Sequence, residues 1–311
     1  MDNLTHSLVG ALLGQMGLKR RTGLAMPTLI IAANIPDIDA TCTIWGMQSL
    51  AMRRGITHGP IALLVLPLIL AGAMVGWDRW QKRRGKRPSG RLPVRFGWLL
   101  VLAYIGCLSH PALDWLNNYG IRLLEPFSHQ WFYGDTLFII DLWIWIALIL
   151  AVGLSLRRER ARDPQWRKPA WIGFAAISLY IFGNGLITNH SEGQAVDMLA
   201  KRLGHTPELV VAKARPLTFW RRETLWRDGD LYGSGTYAVG AGTRLESPRR
   251  NLFHKVDLRP LTQSNPDARA LLFWSRMPVV QRHGDTMRLS DQRFDDRLTA
   301  GNFSLTFPAV E

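Results

Sequence analysis

The chain has 311 residues, a formal net charge of +14 and two cysteines. Cys42 and Cys107 give neither a disulfide framework nor a CxxC pair, which excludes a cysteine-built scaffold or metal knuckle. The positive charge does not point to nucleic acid, because much of it lies in short loops between apolar runs, where it sets membrane topology.

Met1-Asp2-Asn3 supplies no basic n-region, and no small-residue cleavage site follows, so no removable signal peptide is expected. Two apolar segments, 4–18 and 24–40, are short and fairly polar. They are expected to be tilted, re-entrant or only partly spanning. Four longer segments, 57–77, 96–116, 137–156 and 170–188, can each cross a hydrocarbon core of about 30 Å as helices. Thirteen Trp, many near segment ends, fit an interfacial aromatic belt.

After residue 188 the hydrophobic period changes. Residues 194–203 read as a short amphipathic helix ending at Gly204. Residues 217–227 and 231–239, joined by Asp228-Gly229-Asp230, read as a β-hairpin. Strands are also expected at 271–274, 279–283, 287–289 and 303–307. The fold class is therefore mainly α: a polytopic transmembrane bundle of four to six helices over 1–190, then a small antiparallel β-rich extramembrane domain over 191–311. That domain is expected to act as a lid or substrate platform. Its 18 basic against 14 acidic residues are too balanced for a nucleic-acid surface.

The loops divide by charge. Alternate loops hold 17 Lys/Arg, around Lys19, from Arg79 to Arg95 and from Arg157 to Lys168, while the intervening loops hold only Arg53, Arg54 and Arg122. The basic loops are expected in the cytoplasm, which places the N-terminus and the C-terminal domain outside.

Ionisable groups in apolar segments cost a few kcal/mol on insertion scales and so mark function by default. His6, Asp37, Asp39, His58, His110 and Asp114 are such groups, and the topology above brings all six to the outer face. His110 and Asp114 are spaced i, i+4, so one helix face can offer a nitrogen and an oxygen to one ion. Asp37 and Asp39 flank Ile38 after Pro36 and do not share a regular helical face. One is expected as a ligand. The other would hold a second ion, a water or a ligand histidine, or accept a proton in catalysis. Asp135 and Asp141 are weaker additional candidates, with His129 and Tyr133 as pocket-lining residues.

Mixed His/carboxylate ligation suits Zn²⁺ and is open to Mn²⁺ or Fe²⁺. The favoured chemistry is metal-assisted hydrolysis, with no nucleophilic side chain required. Two other classes use the same residues: a structural metal or polar cluster that clamps the helices, and an ion pathway. The gathering of the acids at one face argues against the pathway.

Five strings carry a resemblance: Asn3-Leu4-Thr5-His6; Asn34-Ile35-Pro36-Asp37-Ile38-Asp39; Arg54-Gly55-Ile56-Thr57-His58-Gly59; Ser109-His110-Pro111-Ala112-Leu113-Asp114; and Gly134-Asp135 to Asp141. In this order, over about the first 145 residues, they resemble the YdjM-like family of bacterial inner-membrane proteins. The resemblance implies a multi-pass inner-membrane, metal-dependent hydrolase that uses one or two divalent ions, zinc foremost. A site at headgroup depth, reached along the bilayer surface, makes the lipid bilayer the expected partner and a phosphoester or lipid-linked compound the expected substrate. More distantly, the order of His, Asp, His and His-x3-Asp is similar to zinc-dependent phospholipase C and related nucleases. That likeness implies a principal ion on Asp37 or Asp39, His58, His110 and Asp114, with His6 beside Asp114 at a second. No second His-x3-Asp follows, so a three-ion cluster is not expected.

Overall fold

The computed structural model describes residues 1–295 and 300–309. The chain divides into two units, Met1–Asp39 with Arg54–Gly183, and Ala40–Arg53 with Asn184–Glu311.

The first unit opens with α1 (Asn3–Gln15), started by the Asp2 carboxylate, which accepts the Thr5 N–H at 3.0 Å. Helix α2 (Ala25–Ala32) runs into a 3-10 stretch, Ile35–Gln48, broken at Trp45 and Gly46. A four-residue helix α3 (Ser49–Met52), part of the second unit, is followed by a 3-10 turn of the first, Ile56–His58, and by α4 (Pro60–Arg83). Helices α5 (Phe96–Trp115), α6 (Leu142–Arg160) and α7 (Lys168–Leu203) follow. Among the described residues, α4, α5 and α7 are long and apolar enough to cross a membrane. At 13 and 8 residues, α1 and α2 extend roughly 20 and 12 Å, too short to cross alone.

Two helices differ from the sequence expectation. The segment 137–156 becomes helical only at Leu142, because the Asp141 side chain accepts the Trp143 and Ile144 N–H groups and fixes the first turn there. No break follows residue 188. The expected short helix 194–203 is the end of the single 36-residue α7, about 54 Å long. Ser191, Ala195 and Leu199, four apart, are all fully buried, so one stripe of the polar half still has packing to hold it.

Apolar side chains gain little by leaving lipid for one another, so close backbone approach through small residues holds such helices together. Gly10 of α1 and Gly106 of α5 both lie against α2. A Cβ at Gly10 would stand 2.7 Å from the Leu29 carbonyl oxygen. One at Gly106 would stand 2.7 Å from the Ala32 Cβ and 2.8 Å from the same oxygen. Helix α2 is thereby clasped between α1 and α5, with Leu29, Leu102, Ala32 and Ala103 buried at the contacts.

The second unit carries antiparallel strands β1 (Leu209–Ala214), β2 (Arg221–Asp228), β3 (Leu231–Ala238) and β4 (Gly242–Leu245) in that order, with β5 (Arg249–Arg250) on β3. Helices α8 (Arg259–Ser264) and α9 (Pro266–Trp274) precede a second antiparallel sheet of β6 (Pro278–His283), β7 (Thr286–Asp291) and β8 (Ser304–Pro308). The hairpin expected at Asp228-Gly229-Asp230 forms, pairing Asp228 with Leu231. The strand expected at 271–274 does not form, because those residues end α9. Asn265 caps that helix by accepting from Asp267 and Ala268, and Pro266 opens its first turn. Within this unit α3 packs on α9.

Candidate metal centre

Four side chains meet inside the first unit. Helix α5 supplies His110 and Asp114 from one face, running through Pro111 between them. The 3-10 stretch after α2 supplies Asp37, and the turn before α4 supplies His58. His58, His110 and Asp114 are fully buried, and Asp37 nearly so.

The four donor atoms surround one point. His58 Nε2 lies 3.2 Å from His110 Nε2. Asp37 Oδ1 is 3.8 and 3.6 Å from these two nitrogens, and Asp114 Oδ2 is 3.6 and 3.5 Å from them. All four lie within 4.8 Å of one another. A tetrahedral ion with bonds of about 2.0–2.1 Å places its ligands roughly 3.3–3.4 Å apart, close to these edges.

The hydrogen bonds behind the ligands set the imidazole tautomers. His110 Nδ1 stands 2.7 Å from the Ala33 carbonyl oxygen, which only accepts, so Nδ1 carries the proton. Thr57 Oγ1 donates to Asp39 Oδ2 at 2.8 Å, so its contact of 3.0 Å with His58 Nδ1 is received from the ring. With both rings in their neutral forms, bare Nε2 lone pairs face each other. Two lone pairs at 3.2 Å repel unless a cation lies between them. Asp37 Oδ1 is buried without a hydrogen bond, a costly state that a cation relieves. The residues fit a divalent ion, and a two-nitrogen, two-oxygen donor set suits zinc, manganese or iron.

The other expected residues take different places. Asp39 stands behind His58, with Oδ2 3.4 Å from Nδ1, and is fixed by the Arg54 N–H at 2.8 Å. It supports His58, one of the roles the sequence left open for the second aspartate of the pair. His6 stacks on His110 with ring centroids 3.8 Å apart, and its Nε2 lies 3.3 Å from Asp114 Oδ1. It borders the group of four from the Asp114 side, where the Met1 α-amino group also bonds Oδ1. Asp135 is buried but is not one of the four. Asp141 caps α6 and accepts from the Tyr180 hydroxyl at 3.1 Å. His129 is largely exposed and bonds Glu125 at 2.9 Å.

Sequence reasoning missed Arg54. Its Nε and Nη2 grip Asp114 Oδ2 and Oδ1 at 3.0 and 3.1 Å, and Nη1 donates to Asn117 Oδ1 at 2.9 Å. This fork fixes the carboxylate plane, which leaves Oδ2 facing the histidines. The signal was available: Arg54 lies in the loop class otherwise nearly free of basic residues.

Asp37 also lines a groove of about 380 Å³, together with Ile30, Ile31, Asn34, Ile35 and Ile38.

The sequence model of the family described as YdjM inner membrane protein matches residues 1–191, the span that contains all of these residues. No curated protein and no solved structure matches the chain, so the distant likeness to phospholipase C and related nucleases finds no support there.

Proposed function

Because the chain belongs to the YdjM inner membrane protein family, we propose that it is a membrane-bound, metal-dependent hydrolase of a phosphoester or lipid-linked substrate. The observation that carries the reading is the group Asp37, His58, His110 and Asp114, with two imidazole lone pairs and two carboxylate oxygens turned to one point. A divalent ion held there would lower the pKa of a coordinated water towards neutrality and polarise a phosphoryl oxygen. Asp39 and Thr57 keep His58 in its ligating tautomer, and Arg54 keeps the Asp114 carboxylate in plane. Asp37 borders the groove, so its second oxygen is placed to accept the proton of an attacking water. The isoleucines of that groove suit an apolar chain lying beside the scissile bond. By the positive-inside rule the site opens to the outer face of the inner membrane.

Purified protein should contain zinc, manganese or iron near one ion per chain, and His110→Ala and Asp114→Ala should lose it. A screen of phospholipids and a chromogenic phosphodiester should show turnover that chelation abolishes. Full metal retention in either variant refutes the centre.

The deep burial of three of the four ligands favours a second reading, a structural ion that clamps the helices. That reading expects chelation to lower thermal stability with no turnover on any substrate. Ion flux that depends on Asp37 in proteoliposomes would instead mark a pathway.

A further inference from the structure

The second unit carries a cationic cavity of its own. Strand register builds it. Thr236 pairs with Arg244 across β3 and β4, Ala238 pairs with Gly242, and Arg221 of β2 faces Ala238. Alternate residues of a strand share a face, so Arg221, Glu223, Thr236 and Arg244 stand on one side of the sheet. Lys213, opposite Glu223 in β1, extends that row, and Arg215 follows two residues later just beyond the strand.

The single acid in this row is already engaged, since Glu223 lies 3.3 Å from Lys213 Nζ. Arg215, Arg221 and Arg244 are exposed, and among the described residues their guanidinium groups have no ion pair or hydrogen bond. All three line one cavity of about 280 Å³, together with Thr236 and Gly242, and no carboxylate lines it. The small residues Ala238 and Gly242 leave the floor open where longer side chains would fill it.

We propose that this cavity binds a phosphate ester. A planar carboxylate is satisfied by one arginine fork, whereas the tetrahedrally set oxygens of a phosphate group, two on a diester and three on a monoester, can meet more than one fork. The volume is that of a small headgroup or phosphorylated metabolite and lies at the small end of ligand pockets. Two sources share this chemistry. One is an anionic phospholipid headgroup, since the chain enters the second unit along α7, which also supplies an apolar span. The other is a soluble phosphate ester.

The test uses the full-length protein in neutral detergent, titrated calorimetrically with inorganic phosphate, glycerol 3-phosphate, short-chain phosphatidylglycerol and short-chain phosphatidylcholine. Saturable binding of a phosphate compound is expected. Each of Arg215→Gln, Arg221→Gln and Arg244→Gln should weaken it about five-fold and the triple variant about 100-fold. Because all three residues are exposed, these variants should keep the circular dichroism and melting temperature of the parent. Tighter binding of phosphatidylglycerol than of glycerol 3-phosphate assigns the headgroup, and the reverse assigns the soluble ester. His110→Ala should bind the same ligand with unchanged affinity, which separates this cavity from the metal centre. Absence of saturable binding, or unchanged affinity in the triple variant, overturns the proposal.

Discussion

Asp39→Asn separates a histidine-orienting role from direct ligation more sharply than any other substitution at the centre. The wild-type carboxylate takes two donors on Oδ2, the Arg54 N–H and the Thr57 hydroxyl, each at 2.8 Å. An asparagine oxygen at the same point keeps both bonds, so the turn that carries His58 stays folded. What disappears is the negative charge 3.4 Å from His58 Nδ1, and with it part of the electron density that makes Nε2 a good ligand. Partners of this kind are worth about 10–100-fold in metal affinity, or roughly 1.4–2.7 kcal/mol. His110→Ala removes one of the four donor atoms and should abolish stoichiometric binding. The assay is competition against a chromophoric chelator at fixed pH on purified protein, with melting temperature as the folding control. Asp39→Asn should hold a full equivalent of metal with an affinity lowered by one to two decades. Affinity within two-fold of the parent would show that Asp39 does not support His58. Loss of the metal as complete as in His110→Ala would make Asp39 a ligand and break the four-atom assignment.

Three further predictions concern the stability of the two units. Gly106→Ala forces a Cβ to 2.7 Å from the Ala32 Cβ and should cost about 1–3 kcal/mol by thermal or denaturant unfolding; an unchanged midpoint would refute the close α2–α5 approach. Asp141→Ala should cost about 1 kcal/mol through the lost α6 cap while metal content stays at the parent level, and a drop in metal would bring Asp141 into the centre. In the second unit, burial alone would raise the Asp291 carboxyl, but the Arg293 guanidinium at 2.8 Å and the Ser275 hydroxyl outweigh it and hold it below the usual carboxylate range. A carboxyl depressed in the folded state stabilises above its unfolded pKa of about 3.9, and that stability is lost as pH falls through the folded value. Asp291→Asn should therefore destabilise the neutral protein by about 3–5 kcal/mol and flatten the acid limb below about pH 4, as followed by unfolding across pH 2–7. An acid limb identical to the parent's would refute it.

Much of the centre could be read from the sequence because its physics is local. An ionisable side chain in an apolar segment is expensive wherever the segment packs, so His6, Asp37, Asp39, His58, His110 and Asp114 stood out without coordinates. The i, i+4 spacing of His110 and Asp114 follows from helix pitch alone. The Asp-Gly-Asp hairpin in the second unit was equally local. The strand expected at 271–274 failed because four apolar residues do not specify a period, while Asn265 and Pro266, just upstream, set a helix start. The helix over 194–203 is legible to its end at Gly204, but its continuity across residue 188 is not, since the burial of Ser191 in line with Ala195 and Leu199 is visible only in the folded structure.

The sequence by itself determined the donor types, their order along the chain and the apolar segments that carry them, because these depend on solvation cost and helix pitch. Tertiary structure decided how those donors divide their work. Asp37 lies on the Nε2 side of His58 and Asp39 on its Nδ1 side, although only Ile38 separates them, because the 3-10 stretch points the two carboxylates apart. Arg54 became part of the centre only when its fork met Asp114 across 60 residues of chain. Ring tautomers likewise waited on Ala33 and Thr57, whose oxygens reach the imidazoles through folding. Hydrogen bonds act within about 3 Å, and no spacing along a chain states which oxygen will arrive there.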